Sequence, residues 1–468
     1  MRRLIALTLG FALYASPAAA QSFLASESGG SPNVAIDAGG NILVAYKVDT
    51  YGPTDAVELC LVPPRRRTCA FRTRVAFPGE GYNINPVGLV ISPEGTVVVT
   101  TGRADSNGGS VYAATSVDGG RSFRPAIRVA DGTSGPTVLT PDGRLGTVSG
   151  EIPGMNAAIV RVNGADASRE RTELLDFAPY TSLTNHAGGL VAAGSDARSS
   201  RVFFLPAGAD SFNRAAWAEL PGFRNDRQPQ VAGGAAGLGV LLERDNRGLN
   251  FRRLGSKGWS RALFLGAPSY NEAFDLVQDP RGRLFAAWAV DPINDSRTRI
   301  EAVMSTDRGS TWSSVARLTR TRMDVYPDTL YAAVGARGRG ALVFFDETNS
   351  GAANLGPVRV VRLSPGRIPT SGKRVGGGRV SLRVGADVSC VNERNSTARL
   401  QASLRGRRVA VSRFVRRVSF RASARRLRGG GRFGARYLLR RAPTRVRARV
   451  VPRRGKAYTL RLPMRACL

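Results

Sequence analysis

Along most of this chain the apolar positions come in short runs, each cut by a glycine or proline turn. Such runs, rich in Val, Leu and Phe, predict strands, and no useful length keeps the i, i+3, i+4 spacing of an amphipathic helix. One unit recurs: a strand, a glycine turn and a second strand. Its copies are Pro32–Tyr46, Pro86–Thr101, Pro136–Ser149, Tyr180–Gly194, Pro229–Glu243, Ala273–Trp288 and Asp328–Phe345. The turn glycines Gly40, Gly95, Gly143, Gly188, Gly237, Gly282 and Gly340 are spaced 55, 48, 45, 49, 45 and 58 residues apart.

A period near fifty residues made of four short strands cannot bury its own faces and predicts sheets packed radially about an axis, a β-propeller. Seven copies predict seven blades, or six if one of the irregular fourth and fifth copies is miscounted. An open sheet edge invites aggregation, so the ring must close. Ser22–Ser26 precedes the first inner strand as each fourth strand precedes the next, and it is expected to complete the last blade beside Pro357–Leu363. The expected class is all-β, with a propeller over 21–363, a Gly/Pro/Ser linker over 364–377 and a small β-sandwich over 378–468.

Two distant segments spell nearly the same turn: Ser116-Val117-Asp118-Gly119-Gly120-Arg121-Ser122-Phe123 and Ser305-Thr306-Asp307-Arg308-Gly309-Ser310-Thr311-Trp312. Ser-x-Asp-x-Gly-x-Ser/Thr-aromatic resembles the Asp-box, or BNR repeat, of sialidases and other propellers. Ser116, Asp118, Gly120 and Phe123, and their counterparts Ser305, Asp307, Gly309 and Trp312, are then structural. Asp bonds its own backbone in the bend, Gly takes the left-handed dihedral, and the aromatic ring tucks beneath the hairpin. In this register Ser110–Thr115 and Arg299–Met304 are third strands, Pro125–Val129 and Ser314–Leu318 fourth strands. In the first blade a Cys60–Cys69 staple takes the place of the turn.

The turns between first and second strands and between third and fourth strands share one rim of the disk. Second-to-third loops and blade-to-blade crossings open on the other rim. There the chain carries a sugar-binding type of chemistry: Arg103, Asn225, Asp226, Arg227, Arg244, Asn271, Arg322 and Asp324 as ligand-binding candidates. The sialidase resemblance implies a tyrosine nucleophile helped by a carboxylate, an aspartate acid/base and three arginines that clamp the sugar carboxylate. Tyr326, Tyr270, Glu272 and Asp105 are the matching catalytic candidates. The family's Arg-Ile-Pro signature is absent from the first blade; Arg367-Ile368-Pro369 falls in the linker. The resemblance therefore covers turns and period rather than a catalytic constellation. Three readings follow: a carbohydrate-binding propeller, an exo-α-sialidase-like hydrolase with a divergent site, and a scaffold for protein partners.

Charge changes the picture at the C-terminus. Of the net charge of +33, Lys373 to Leu468 carries +26, almost all of it arginine. Arginine alternates with apolar residues in Arg379–Val384 and Arg445–Val451, which predicts strands with one buried and one guanidinium face. Such strands suit an immunoglobulin-like sandwich, and the arginines suit acidic polymers such as cell-envelope polysaccharide. Nucleic acid is not expected as a physiological partner, because residues 1–20 read as an export signal: Arg2 and Arg3, an apolar stretch from Leu4 to Tyr14, then Ala18-Ala19-Ala20. A secreted, envelope-associated, monomeric protein is expected. Export suits disulfides, and pairing Cys60 with Cys69 and Cys390 with Cys467 is the simplest of three connectivities. The one histidine, His186, leaves no multi-histidine metal site, and it reads as a solvated turn residue. No cofactor is expected, and a structural Ca²⁺ on loop carboxylates is left open.

Overall fold

The structure of the protein is a computed structural model. It describes residues 22–48, 56–78, 82–105, 108–131, 133–140, 144–151, 154–163, 166–175, 180–195, 200–206, 226–234, 237–244, 248–256, 258–260, 262–266, 273–290, 299–305, 308–309, 312, 316–318, 330–335, 340–345, 356–363, 371–374, 381–391, 397–406, 415–422, 425–427, 434–439, 445–453 and 457–463. Every regular element among them is a strand.

Seven antiparallel blades follow one another from Ser22 to Leu363, the first and last joined in one seven-stranded sheet by the strand they share. Their innermost strands are the second half of Ser22–Ile36, then Tyr82–Ile91, Thr133–Leu139, Tyr180–His186, Asp226–Ala232, Phe274–Gln278 and Leu330–Val334. Each packs against the innermost strand before and after it, and Leu330–Val334 packs against Ser22–Ile36. The result is a closed β-propeller of seven blades. Every blade has at least four strands except the fourth, which shows Tyr180–His186, Gly189–Ser195 and Ser200–Leu205 among the described residues.

The closing device is the expected one. Ser22 to Gly29 pair with Gly356–Leu363 of the last blade, while Gly30 to Ile36 pair with Ile42–Val48 of the first. One strand thus serves two sheets, and it bends where it changes allegiance. Ser31 takes a φ of 44° there. A Cβ on Gly29 would meet Tyr46 and Val358 side-chain carbons at 2.8 Å, so only glycine lets the two blades approach.

Blades have two buried faces, so their second strands lack polar alternation. Ile42–Val48, Leu284–Val290 and Gly340–Phe345 are almost wholly buried. The core lies between blades rather than within them. Leu43, Val57 and Leu59 of the first blade pack on Val87, Leu89 and Val97 of the second. Phe251 and Leu265 of the fifth pack on Leu276, Trp288 and Trp312 of the sixth.

Side chains latch neighbouring inner strands where no ladder joins them. Asn33 donates from Nδ2 to the Val87 carbonyl at 2.9 Å, and Ser182 Oγ accepts from Val231 N–H at 3.1 Å. Asp275 holds the same register position in the sixth blade as Asn33 in the first. Its Oδ2 accepts from Ala332 N–H at 2.6 Å, and its Oδ1 from Leu276 N–H at 2.7 Å. Desolvation pushes the carboxyl of this partly buried residue up to about 6 against those stabilising bonds.

From Ser371 onward the chain forms two four-stranded sheets whose strands touch each other, a small sandwich. One holds Ser371–Arg374, Ser381–Val391, Thr397–Gly406 and Gly434–Leu439; the other holds Val415–Ala422, Arg425–Leu427, Arg445–Pro452 and Tyr458–Pro463. Ser371–Arg374 is therefore a strand inside the segment expected to be linker, since its backbone pairs with Ser381 to Val384.

Candidate functional site

The two rims of the propeller are built differently. On one rim, polar side chains are consumed in stabilising their own turns. In the first, second and sixth blades a residue at the mouth of the inner turn spans it. Asp37 Oδ1 accepts from Asn41 N–H at 2.7 Å, Ser92 Oγ from Thr96 N–H at 3.1 Å, and Asp279 Oδ1 from Arg283 N–H at 2.7 Å. A glycine with positive φ follows in each: Gly40 at 84°, Gly95 at 94° and Gly282 at 76°.

The two Ser-x-Asp-x-Gly turns lie on this rim. Asp118 Oδ1 accepts from Ser116 Oγ at 2.7 Å, Arg121 N–H at 2.9 Å and Ser122 N–H at 3.0 Å, while Oδ2 accepts from Ser122 Oγ at 2.6 Å. The Ser122 hydroxyl, then its N–H and the Ser116 hydroxyl, hold this carboxyl well below the usual carboxylate range. Ser116 Oγ accepts from Gly120 N–H at 2.8 Å, and Ser305 Oγ repeats this with Gly309 N–H at 2.7 Å. Asp307 lies outside the described residues.

Both turns dock on the preceding blade. A Cβ on Gly120 would stand 2.3 Å from Leu59 Cδ2, and one on Gly309 2.3 Å from Phe251 Cε1. Trp312 meets Phe251 edge-on at 4.9 Å, and Phe123 packs with Leu59. The aromatic ring reaches across the blade boundary rather than staying under its own hairpin.

The stapled tip of the first blade occupies the equivalent place. Cys60 and Cys69 are bonded with Cα atoms 5.4 Å apart. Arg362 of the last blade donates from Nη2 to the Pro63 carbonyl at 2.6 Å and the Arg66 carbonyl at 2.5 Å, and from Nη1 to Pro64, with its guanidinium 5.4 Å over Phe23. Arg72 donates to the Ala25 carbonyl of the closing strand at 2.8 Å and reaches Glu58 Oε1 at 3.4 Å. Tyr46 donates to that same Glu58, and burial pushes its phenol upward.

His186 also sits on this rim, as the last residue of its strand before the Ala187-Gly188 turn. It is half-buried, with its ring 6.2 Å from Phe204, rather than solvated.

The other rim receives the opposite strand ends, and backbone register places several sequence-derived candidates there. In the second blade Asn83 stands opposite Arg103, and Asp105 closes the strand against Gly108. Arg103 is 3% exposed and donates from Nη1 to the Phe77 carbonyl at 2.8 Å. It thereby tethers the crossing from first to second blade. In the fifth blade Asp226 stands opposite Arg244, and Arg227 opposite Glu243. Two neighbouring register pairs of opposite charge thus end this blade.

Glu243 is 3% exposed and shares its strand face with Leu241, which packs on the sixth blade; its register position is that of Lys47 in the first blade, also buried. Burying a carboxylate costs desolvation. Asn225, Tyr270, Asn271, Glu272, Arg322, Asp324 and Tyr326 lie outside the described residues, as does Arg367-Ile368-Pro369. Cys390 sits in Ser381–Val391, while Cys467 lies outside the described residues. Among the described residues no group of acidic, His or Cys side chains is placed to hold a metal, and no helix is long and apolar enough to cross a membrane.

No family model matches this chain, and no curated protein matches it in sequence. Among solved structures it is similar to the NanB sialidase of Streptococcus pneumoniae, at 10% identity over 73% of this chain and 69% of that one, with a TM-score of 0.42. It is also similar to an α-L-arabinanase of Penicillium chrysogenum complexed with arabinobiose, at 11% identity over 74% and 99% of the two chains, with a TM-score of 0.41. A chain of the mitotic checkpoint complex matches at 12% identity over 78% and 99%, with a TM-score of 0.48. Likeness of this degree concerns fold alone and carries nothing about ligand or reaction.

Proposed function

We propose that this chain is an exported, sialidase-like propeller that binds carbohydrate on the rim opposite its Ser-x-Asp-x-Gly turns. Its basic C-terminal module then holds it to acidic polymers of the cell envelope. Export rests on the leader-like residues 1–20, and the basic module on the arginine excess after Lys373. The observation that carries the binding reading is the contrast between the rims. One spends its polar groups within its own turns. The other ends the fifth blade with Asp226 and Arg244 at opposed register positions, residue types that offer a sugar an acceptor and several donors.

The test is a glycan array probed with the full chain and with Asp226→Ala and Arg244→Ala. Binding to a defined set of glycans, weakened at least about tenfold by either change, is the expected result; one lost hydrogen bond to a charged group is of that size. No glycan bound, or binding indifferent to both changes, overturns it. Release of sugar from sialosides or aryl glycosides, abolished by Tyr326→Phe, would make the protein a hydrolase instead.

A further inference from the structure

The second C-terminal sheet sorts its side chains by chemistry. Its strands Val415–Ala422, Arg425–Leu427, Arg445–Pro452 and Tyr458–Pro463 hold nine arginines and no acidic residue. Pairing sets Arg426 opposite Arg421, Arg421 opposite Arg447, and Arg447 opposite Arg461. Four arginine positions therefore form one row across all four strands. The next row on the same face is Ser419, Arg449 and Thr459. The opposite face carries Phe420 and Val450, both buried, whereas Arg417, Arg421, Arg447 and Arg449 are exposed.

Like charges directly opposed on a sheet destabilise it. Folding gains nothing from this row, and a solvated face needs no such register. Strands stand about 4.8 Å apart, so the row sets an arginine position at each step over roughly 14 Å. That step is comparable to one sugar ring along a polysaccharide. Guanidinium groups bind carboxylates in a fork, and the Ser419–Arg449–Thr459 row adds hydroxyls beside them.

We propose that this face is the docking surface for a linear carboxylated polysaccharide, laid across the strands so that successive carboxylates meet successive arginines. The proposal rests on the reading of the C-terminal module as a binder of acidic polymers, and it names the residues and the class of polymer.

The experiment measures binding of the full chain to immobilised polygalacturonate over a range of salt. The Arg421→Thr/Arg447→Thr double variant is expected to lose affinity about tenfold or more, with a salt dependence shallower by about two in log–log slope. It should melt no lower than the parent, since two opposed charges have gone. Arg383→Thr/Arg405→Thr removes an equally opposed pair from the other sheet and should change affinity less than about threefold, as expected of charges outside the contact. Arg421→Lys/Arg447→Lys keeps the charge without the fork and should fall between the two. Equal losses from the two threonine double variants overturn the row, because charge alone then suffices. Tighter binding to polyphosphate or duplex DNA at matched charge overturns the polymer class. Failure of the parent chain to bind any polyanion overturns the underlying reading of the module.

Discussion

At the scale of single residues, Asp275 shows how a latch between blades carries a pH signature. Its folded carboxyl titrates at about 6, above the unfolded Asp value, because burial outweighs the two N–H bonds it accepts. An acid whose folded value is raised favours folding where it is protonated. Its contribution is therefore full at acid pH and is lost as pH climbs from near 4 through 6. Over that window the chain should lose on the order of 2–3 kcal/mol of stability from this group alone. Urea unfolding at pH 4.5 and 7.5 measures it, and Asp275→Asn should flatten the difference, since an amide does not titrate. A slope unchanged by the substitution would assign the pH dependence elsewhere. The latch was not legible in the sequence: Asp275 reads as one polar residue inside an apolar run, and its partner Ala332 lies a blade away. The turn glycines were legible because their requirement is local. Arg308 illustrates the exception, a non-glycine at φ 62° where the first copy has Gly119 at 74°.

At the scale of elements, the stapled hairpin and the closing strand form one joint. The disulfide fixes the tip, the tip offers three carbonyls, and Arg362 of the last blade fills them while lying over Phe23. Arg362→Met keeps most of the stem but removes those donors. The expected cost is about 2–3 kcal/mol, read as a lower denaturant midpoint with unchanged slope. An unchanged midpoint would show that water serves the tip equally well. The staple was legible from two cysteines flanking a Pro-Pro-Arg tip. Arg362 was not, because its place above the tip depends on ring closure. The boundary after the propeller was misread for a related reason. Glycine-rich composition marks a linker, but Ser371–Arg374 gains a partner strand that composition does not announce.

At the scale of the whole molecule, period and turn chemistry were enough to give seven blades and their seam. The candidate rim was legible only in part. Strand register now opposes Asp226 with Arg244 and Arg227 with Glu243, while the tyrosines and remaining polar residues sit in crossings that no strand pattern positions. The seam itself is testable. Removing residues 22–28 leaves Gly356–Leu363 as an unpaired edge, and such edges recruit other chains. The shortened protein should melt earlier and associate with rising concentration on size exclusion; a monomer with the parent's melting temperature would deny the strand its role. The seam also imposes an order of events during synthesis. The first strand to emerge finds its mate only when Val361 has been made, so every intervening blade is synthesised before the ring can close. Until then the nascent propeller carries an open edge that must be kept apart from its neighbours.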